Sequence, residues 1–223
     1  NGYDETLRTQ ISAGMAPDII GIQHTRFLDY AEKGLLVDLT ADFKNAGYDK
    51  SLYGLCLGWG EYGGKILGIP DNPAPIEWFY NVKIFNDLGL SEPKTKQELY
   101  AACEKIKAAG YIPIMWGDQD TWTGTAVLGM ITAQTMGLDP VYAASKSGDW
   151  NIAGLKEALN IVKELKDKGY IDPMMTGVDY NTSEEMFVKG KVAIFPMGSW
   201  AISQIEANKP SDFQYSVFKD AVK

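Results

Sequence analysis

The chain has 223 residues, 45% hydrophobic and 22% charged, enough to bury a sizeable core and too strongly patterned for intrinsic disorder. A formal net charge of -8, with 21 Lys and Arg scattered rather than gathered in a stripe, argues against nucleic acid as a partner. No stretch offers the roughly 18 uninterrupted apolar residues of a membrane span, and the opening Asn1-Gly2-Tyr3-Asp4 lacks the basic and apolar regions of a signal peptide, so any leader is expected to have been removed.

In chain order, Leu7, Ile11 and Met15 space a first helix that closes at Gly14 to Pro17. Asp18 to Ile22 is a short apolar run between Pro17 and the polar Gln23-His24, the pattern of a buried parallel strand. A helix through Phe27, Tyr30 and Ala31 ends at Gly34, and Thr40 is placed to cap a third helix that ends near Gly47. Gly63-Gly64 predicts a hairpin turn between a strand near Trp59 and one over 65–70. The same glycines fail a phosphate-binding loop, since Lys65 is followed by Ile66 rather than Ser or Thr.

Glu77 to Asn81 reads as an aromatic strand leading into Val82 to Phe85. Thr95 and Glu98 form a capping box for a helix with Leu99, Ala102, Cys103 and Ile106 on its inner face and Gly110 as its stop. A strand at 111–115 precedes the polar and aromatic loop Trp116 to Trp122, and a long helix runs from about Thr123 to Met136. Another helix, 152–168, is expected to bury Leu155, Leu159, Val162 and Leu165. Thr182 and Glu185 suggest a further capping box, which accounts for the glycosylation-like triplet Asn181-Thr182-Ser183. Strand Val192 to Phe195 then runs to Trp200 and a final helix through Ile205. This alternation is that of a doubly wound α/β sheet.

Two cysteines, Cys56 and Cys103, without CxxC spacing, and the single histidine His24 give no disulfide scaffold, zinc site or Ser/Cys-His pair. No cofactor and no metal is implied. Asp118-x-Asp120 begins like a calcium loop, but Trp122 and Gly124 stand where oxygen donors are needed.

In an open α/β sheet, ligands bind at the carboxyl ends of strands. The residues expected there are His24, Asp71, Glu77, Trp116, Asp118, Trp122 and Trp200. Indole plates cover the C–H faces of a pyranose while carboxylates and amides take its hydroxyls, so this mixture suits a sugar. Trp59 and Trp150 are read instead as structural. Asp118, Asp120 and Glu77 also admit an acid–base pair flanking a glycosidic bond, the basis of a sugar-processing hydrolase as the alternative.

Four stretches in order resemble the extracellular solute-binding proteins of family 1, the sugar receptors of ABC importers: Ser12 to Ile20, Tyr30 to Leu39, Gly64 to Leu99 with its Tyr80-Asn81, and Phe187 to Trp200. The resemblance implies a type II periplasmic-binding-protein α/β fold of two lobes, incomplete in this chain. It places a partial N-terminal lobe at 1–79, a hinge crossing at 80–82 and a partial C-terminal lobe at 83–223. It implies a non-catalytic, monomeric receptor outside the cytoplasm, periplasmic or lipid-anchored, that hands a sugar or oligosaccharide to a membrane permease. Trp200 falls in the family's Gly-x-Trp position, where the indole stacks on a sugar ring, and Trp122 lies near another aromatic contact. The same fold carrying a non-sugar solute is the remaining alternative. Because the chain lacks the family's first strand and its return crossings, a fragment with exposed apolar edges is expected.

Overall fold

The computed structural model describes residues 2–52 and 58–222, without the side chains of residues 24, 25, 145 and 146. Cys56 therefore lies outside the described residues. The chain divides into two compact units, Asn1–Pro73 and Ala74–Lys223.

The first unit holds helices α1 (Tyr3–Ser12), α2 (His24–Glu32), α3 (Thr40–Asn45) and α4 (Tyr48–Ser51), and strands β1 (Glu61–Tyr62) and β2 (Lys65–Ile66). The hairpin forms as expected: β1 and β2 pair antiparallel, and Gly63 and Gly64 supply φ values of 59° and 76°. Two consecutive left-handed residues are what a type I′ turn requires. Thr40 does not cap α3. It lies one residue inside, where its hydroxyl donates to Asp38 and accepts from the Ile66 N–H at 2.9 Å, tying α3 to β2.

The strand expected at 18–22 is absent, and Ile19 is 90% exposed. A strand is stabilised by a neighbour's ladder, and among the described residues the first unit offers only the two-stranded β1-β2 ribbon. On this run the Tyr3 hydroxyl donates to the Gly21 carbonyl and accepts from the Gly21 N–H. Trp59, read as structural, is 36% exposed.

The second unit is built on a four-stranded sheet in the order β4-β5-β3-β6, with β3 (Ile76–Asn81), β4 (Ile112–Ile114), β5 (Val192–Gly198) and β6 (Tyr215–Phe218). β4 and β5 are parallel, whereas β3 runs antiparallel to both β5 and β6. All seven residues of β5 are buried, the near-continuous apolar signature of a strand covered on both faces. Phe79 and Phe195 pair across one face, and Phe195 stacks on Phe187 of α10 (Tyr180–Val188) at 5.4 Å. Trp78 points to the other face, where its indole N–H reaches Gln134 of α7 (Trp122–Met136) at 3.5 Å.

A proline inside a central strand needs an explanation, because it removes a ladder donor. The Ile194 carbonyl accepts from the Met115 N–H, so Ile194 faces β4. Pro196, two residues on, faces the same side beyond the end of β4, where no strand asks for its N–H. The sheet thus opens at the carboxyl end of β5.

Helix α5 (Val82–Asp87) is capped by buried Asn81, which accepts from the Ile84 N–H. Helix α6 (Lys96–Ala108) buries the four residues foreseen, and Thr95 accepts from the Glu98 N–H; Glu98 in return reaches the Lys94 N–H rather than that of Thr95. After α8 (Asp139–Ser147), helix α9 (Ala153–Asp167) buries Ala158, Ile161 and Leu165. Leu159, expected inside, is 49% exposed, because it stands about 100° around the helix from Ala158. Trp150 is exposed as well. Helix α10 is capped by Asp179, which accepts from the Thr182 N–H at 2.7 Å, and Thr182 lies within the first turn instead of capping it. Helix α11 (Ala201–Asn208) follows Trp200, its N-cap residue.

Strand β3 belongs to the second unit, and the compact units divide between Pro73 and Ala74. The expected crossing at 80–82 falls where β3 passes into α5.

Candidate functional site

One edge of the second unit's sheet gathers the carboxyl ends of β4, β5 and β6 with the start of β3. Helices α7 and α10 also begin in the loops that follow this part of the sheet. Their entry loops are tied together: the Asp118 N–H donates to the Met175 carbonyl at 2.9 Å and the Gln119 N–H to that of Val178 at 3.1 Å. Gly117 permits this approach, since a Cβ there would lie 2.0 Å from the Asp179 carbonyl oxygen.

Asp118 caps α7 from that loop. One carboxylate oxygen accepts from the Thr123 hydroxyl at 2.8 Å and from the Gly124 N–H at 2.7 Å, satisfying donors that a helix start leaves unpaired. A Cβ at Gly124 would come within 2.5 Å of this carboxylate. Thr121 holds φ at 65°, in the left-handed region. A β-branched residue is strained there, and the strained turn delivers Trp122 at the first position of α7.

Three rings meet at this edge. Trp122 lies 5.8 Å from Trp200, inclined at 51°, and 5.7 Å from Tyr180, inclined at 53°. Trp122 remains 39% exposed and Trp200 is half-buried. The Trp200 indole lies across Gly198, where a Cβ would meet its ring at 2.0 Å. The Tyr180 hydroxyl donates to the Glu184 carboxylate at 2.7 Å. Burial and that carboxylate push the hydroxyl far above the usual tyrosine range, with the Trp200 indole N–H acting in the opposite sense. Inclined rings of this kind present a corner with C–H-binding faces and a polar rim.

Glu77 stands on β3 opposite Met197, half-buried. Burial raises its carboxyl above the ordinary range, opposed by Lys219 and reinforced by Asp220. The folded chain therefore holds this proton to higher pH than the unfolded one, so the associated stability is present below the unfolded pKa and fades as pH rises through the folded pKa. Glu77→Gln is expected to raise the urea midpoint at about pH 7 and to change it little at about pH 4, near the ordinary glutamate value of about 4.3. Equal shifts at both pH values would contradict this assignment.

The structure thus brings together Trp122 and Trp200, with Glu77 and Asp118 on the same edge. Trp116, expected as a ligand plate, is 2% exposed and packs within the core, where its indole N–H has no hydrogen-bond partner among the described residues. Asp71 belongs to the first unit and is exposed. His24 opens α2, but its side chain lies outside the described residues. Asp120 is exposed in the loop before α7. Sequence reasoning missed Tyr180 and Glu184, and met Gly198 only as the glycine of the Gly-x-Trp position. The aromatic at Tyr180, directly after the capping Asp179, was the available signal. Two concavities of about 410 and 440 Å³ lie elsewhere, one between α6, α7 and α9 around Lys96, Gln134 and Glu157, the other in the first unit around Arg8, Asp29 and Tyr30. Among the described residues, no helix is long and apolar enough to cross a membrane, and no three His, Cys, Asp or Glu are grouped to hold a metal.

A probable sugar-binding periplasmic protein of Mesorhizobium japonicum is 31% identical over 209 residues, covering 91% of this chain and 49% of its own. A solved chitin oligosaccharide binding protein superposes with a TM-score of 0.81 at 29% identity, over 100% of this chain and 56% of that one. RafE in complex with raffinose gives 0.73 at 25% identity, over 96% and 57%. The fold is accordingly that of periplasmic-binding-protein sugar receptors, and the chain spans about half the length of the curated relatives it matches. Since the pattern of the bacterial extracellular solute-binding protein family extends over residues 1–221, nearly the whole sequence, the chain belongs to that family.

Proposed function

We propose that the protein is a non-catalytic receptor, acting outside the cytoplasm, that binds a sugar or oligosaccharide and presents it to the permease of an ABC importer. The observation that carries this reading is the corner of inclined rings formed by Trp122, Trp200 and Tyr180. Such a corner matches the apolar faces of a pyranose, with Glu77 available to its hydroxyls. In this reading Trp200 and Trp122 stack on the ligand, and Asp118 supports them through the start of α7. Closure on the ligand would turn on the segment that joins the two compact units, near Pro73. The names of the relatives above support the sugar class, and all of them are binding proteins. The engagement of Asp118 in capping α7 speaks for binding over acid–base catalysis.

Native mass spectrometry of the purified protein tests this. Adducts at hexose increments that survive gentle desolvation are the expected result. Release of shortened products on incubation with an oligosaccharide would replace the receptor reading by a hydrolase, and adducts of a non-sugar solute would keep the fold and change the cargo.

A further inference from the structure

The receptor reading names the rings that touch a ligand and leaves open what holds them at their mutual angles. Trp200 is backed on one side by the bare Cα of Gly198. Trp122 leaves the strained turn at Thr121 with 39% of its surface exposed. Tyr180 is the ring in contact with Trp122 that also stacks on the core, at 6.4 Å from Phe195. Its outer end donates a hydrogen bond to Glu184 at 2.7 Å, and the Trp200 indole N–H bears on the same hydroxyl.

Glu184 is 4% exposed, and among the described residues no other carboxylate is buried to that degree. Burying a carboxylate is expensive unless its partners repay it, and a leucine on the inner face of α10 would pack there without that penalty. Among the described residues Glu184 forms no ion pair, and its carboxylate accepts from the Tyr180 hydroxyl. The geometry therefore points to Glu184 as a positioning residue of the ligand site: it fixes the Tyr180 hydroxyl so that the phenol ring props the Trp122 and Trp200 indoles at their working inclination. This rests on the receptor reading for its purpose, but its geometric content does not depend on any ligand.

Two indoles 5.8 Å apart and inclined at 51° couple their electronic transitions and give a paired positive and negative band in circular dichroism. Trp122→Phe identifies the couplet by abolishing it. Glu184→Ala is expected to reduce the couplet at least twofold while helix content and cooperative urea unfolding persist. Tyr180→Phe, which keeps the ring and loses the tether, should do the same. Glu184→Gln should retain the couplet, because the amide oxygen accepts the same hydrogen bond. In the whole protein, affinity for a raffinose or chito-oligosaccharide probe should fall about tenfold in Glu184→Ala and Tyr180→Phe and recover in Glu184→Gln. A couplet absent from the unsubstituted chain, or one unchanged in Tyr180→Phe, overturns the proposal. Should Glu184→Ala fail to fold, the contrast between Tyr180→Phe and Glu184→Gln decides the matter. A couplet that responds as stated in a protein that binds no saccharide would sustain the positioning role and defeat the receptor reading instead.

Discussion

Trp200→Ala is expected to weaken saccharide binding by the whole protein about 30- to 100-fold while leaving the urea midpoint of this chain nearly unchanged. The size of the effect follows from truncating a central aromatic anchor, which costs about 2–3 kcal/mol, each 1.4 kcal/mol being about a factor of ten. The near-neutral stability follows from placement. The indole lies at the edge of the sheet across Gly198, half-buried, and does not belong to the fully buried core around Phe195. Isothermal titration read together with urea unfolding separates the two. Parallel losses of affinity and stability would mean that Trp200 serves packing.

The second large effect belongs to Phe195. Phe195→Ala is expected to remove about 3–5 kcal/mol of stability, the range for truncating a buried phenylalanine. The ring is 0% exposed, pairs with Phe79 across the sheet, stacks on Phe187 at 5.4 Å and lies 6.4 Å from Tyr180. Domains of this kind have about 5–15 kcal/mol in total, so a large fraction of the folded population's margin is at stake. The same substitution removes the floor beneath Tyr180 and should also diminish the Trp122–Trp200 couplet. Denaturant unfolding measures the loss, and a change below about 1 kcal/mol would show that the site relaxes around the missing ring.

What could be read from sequence was local chemistry. The Gly63-Gly64 turn, the capped helix at Thr95 and the buried run through Phe195 each specify their conformation within a few residues. Placing Trp122 and Trp200 at one sheet edge also succeeded, because parallel topology puts the residues following β4 and β5 on the same side. The failures needed partners that a local pattern cannot supply. The run at 18–22 has strand composition and, among the described residues, no strand beside it. Thr182 resembles a cap, yet the helix begins earlier, with Asp179 accepting from the N–H of Thr182 itself. Trp116 looked like a loop plate, but two residues beyond the end of β4 it still packs within the core. Tyr180 and Glu184 escaped notice because an aromatic four residues before an acid on a helix is ordinary, and only burial distinguishes this pair. Strand β6 was missed as a four-residue element between Gln214 and Lys219, short of any periodicity.

All of these inferences converge on an aromatic corner that binds a saccharide. Isothermal titration of the whole protein against a panel of oligosaccharides, repeated with Trp122→Ala/Trp200→Ala, tests it most directly. Saturable heat from the unsubstituted protein and none from the double variant is the predicted result; full affinity in the double variant would contradict it.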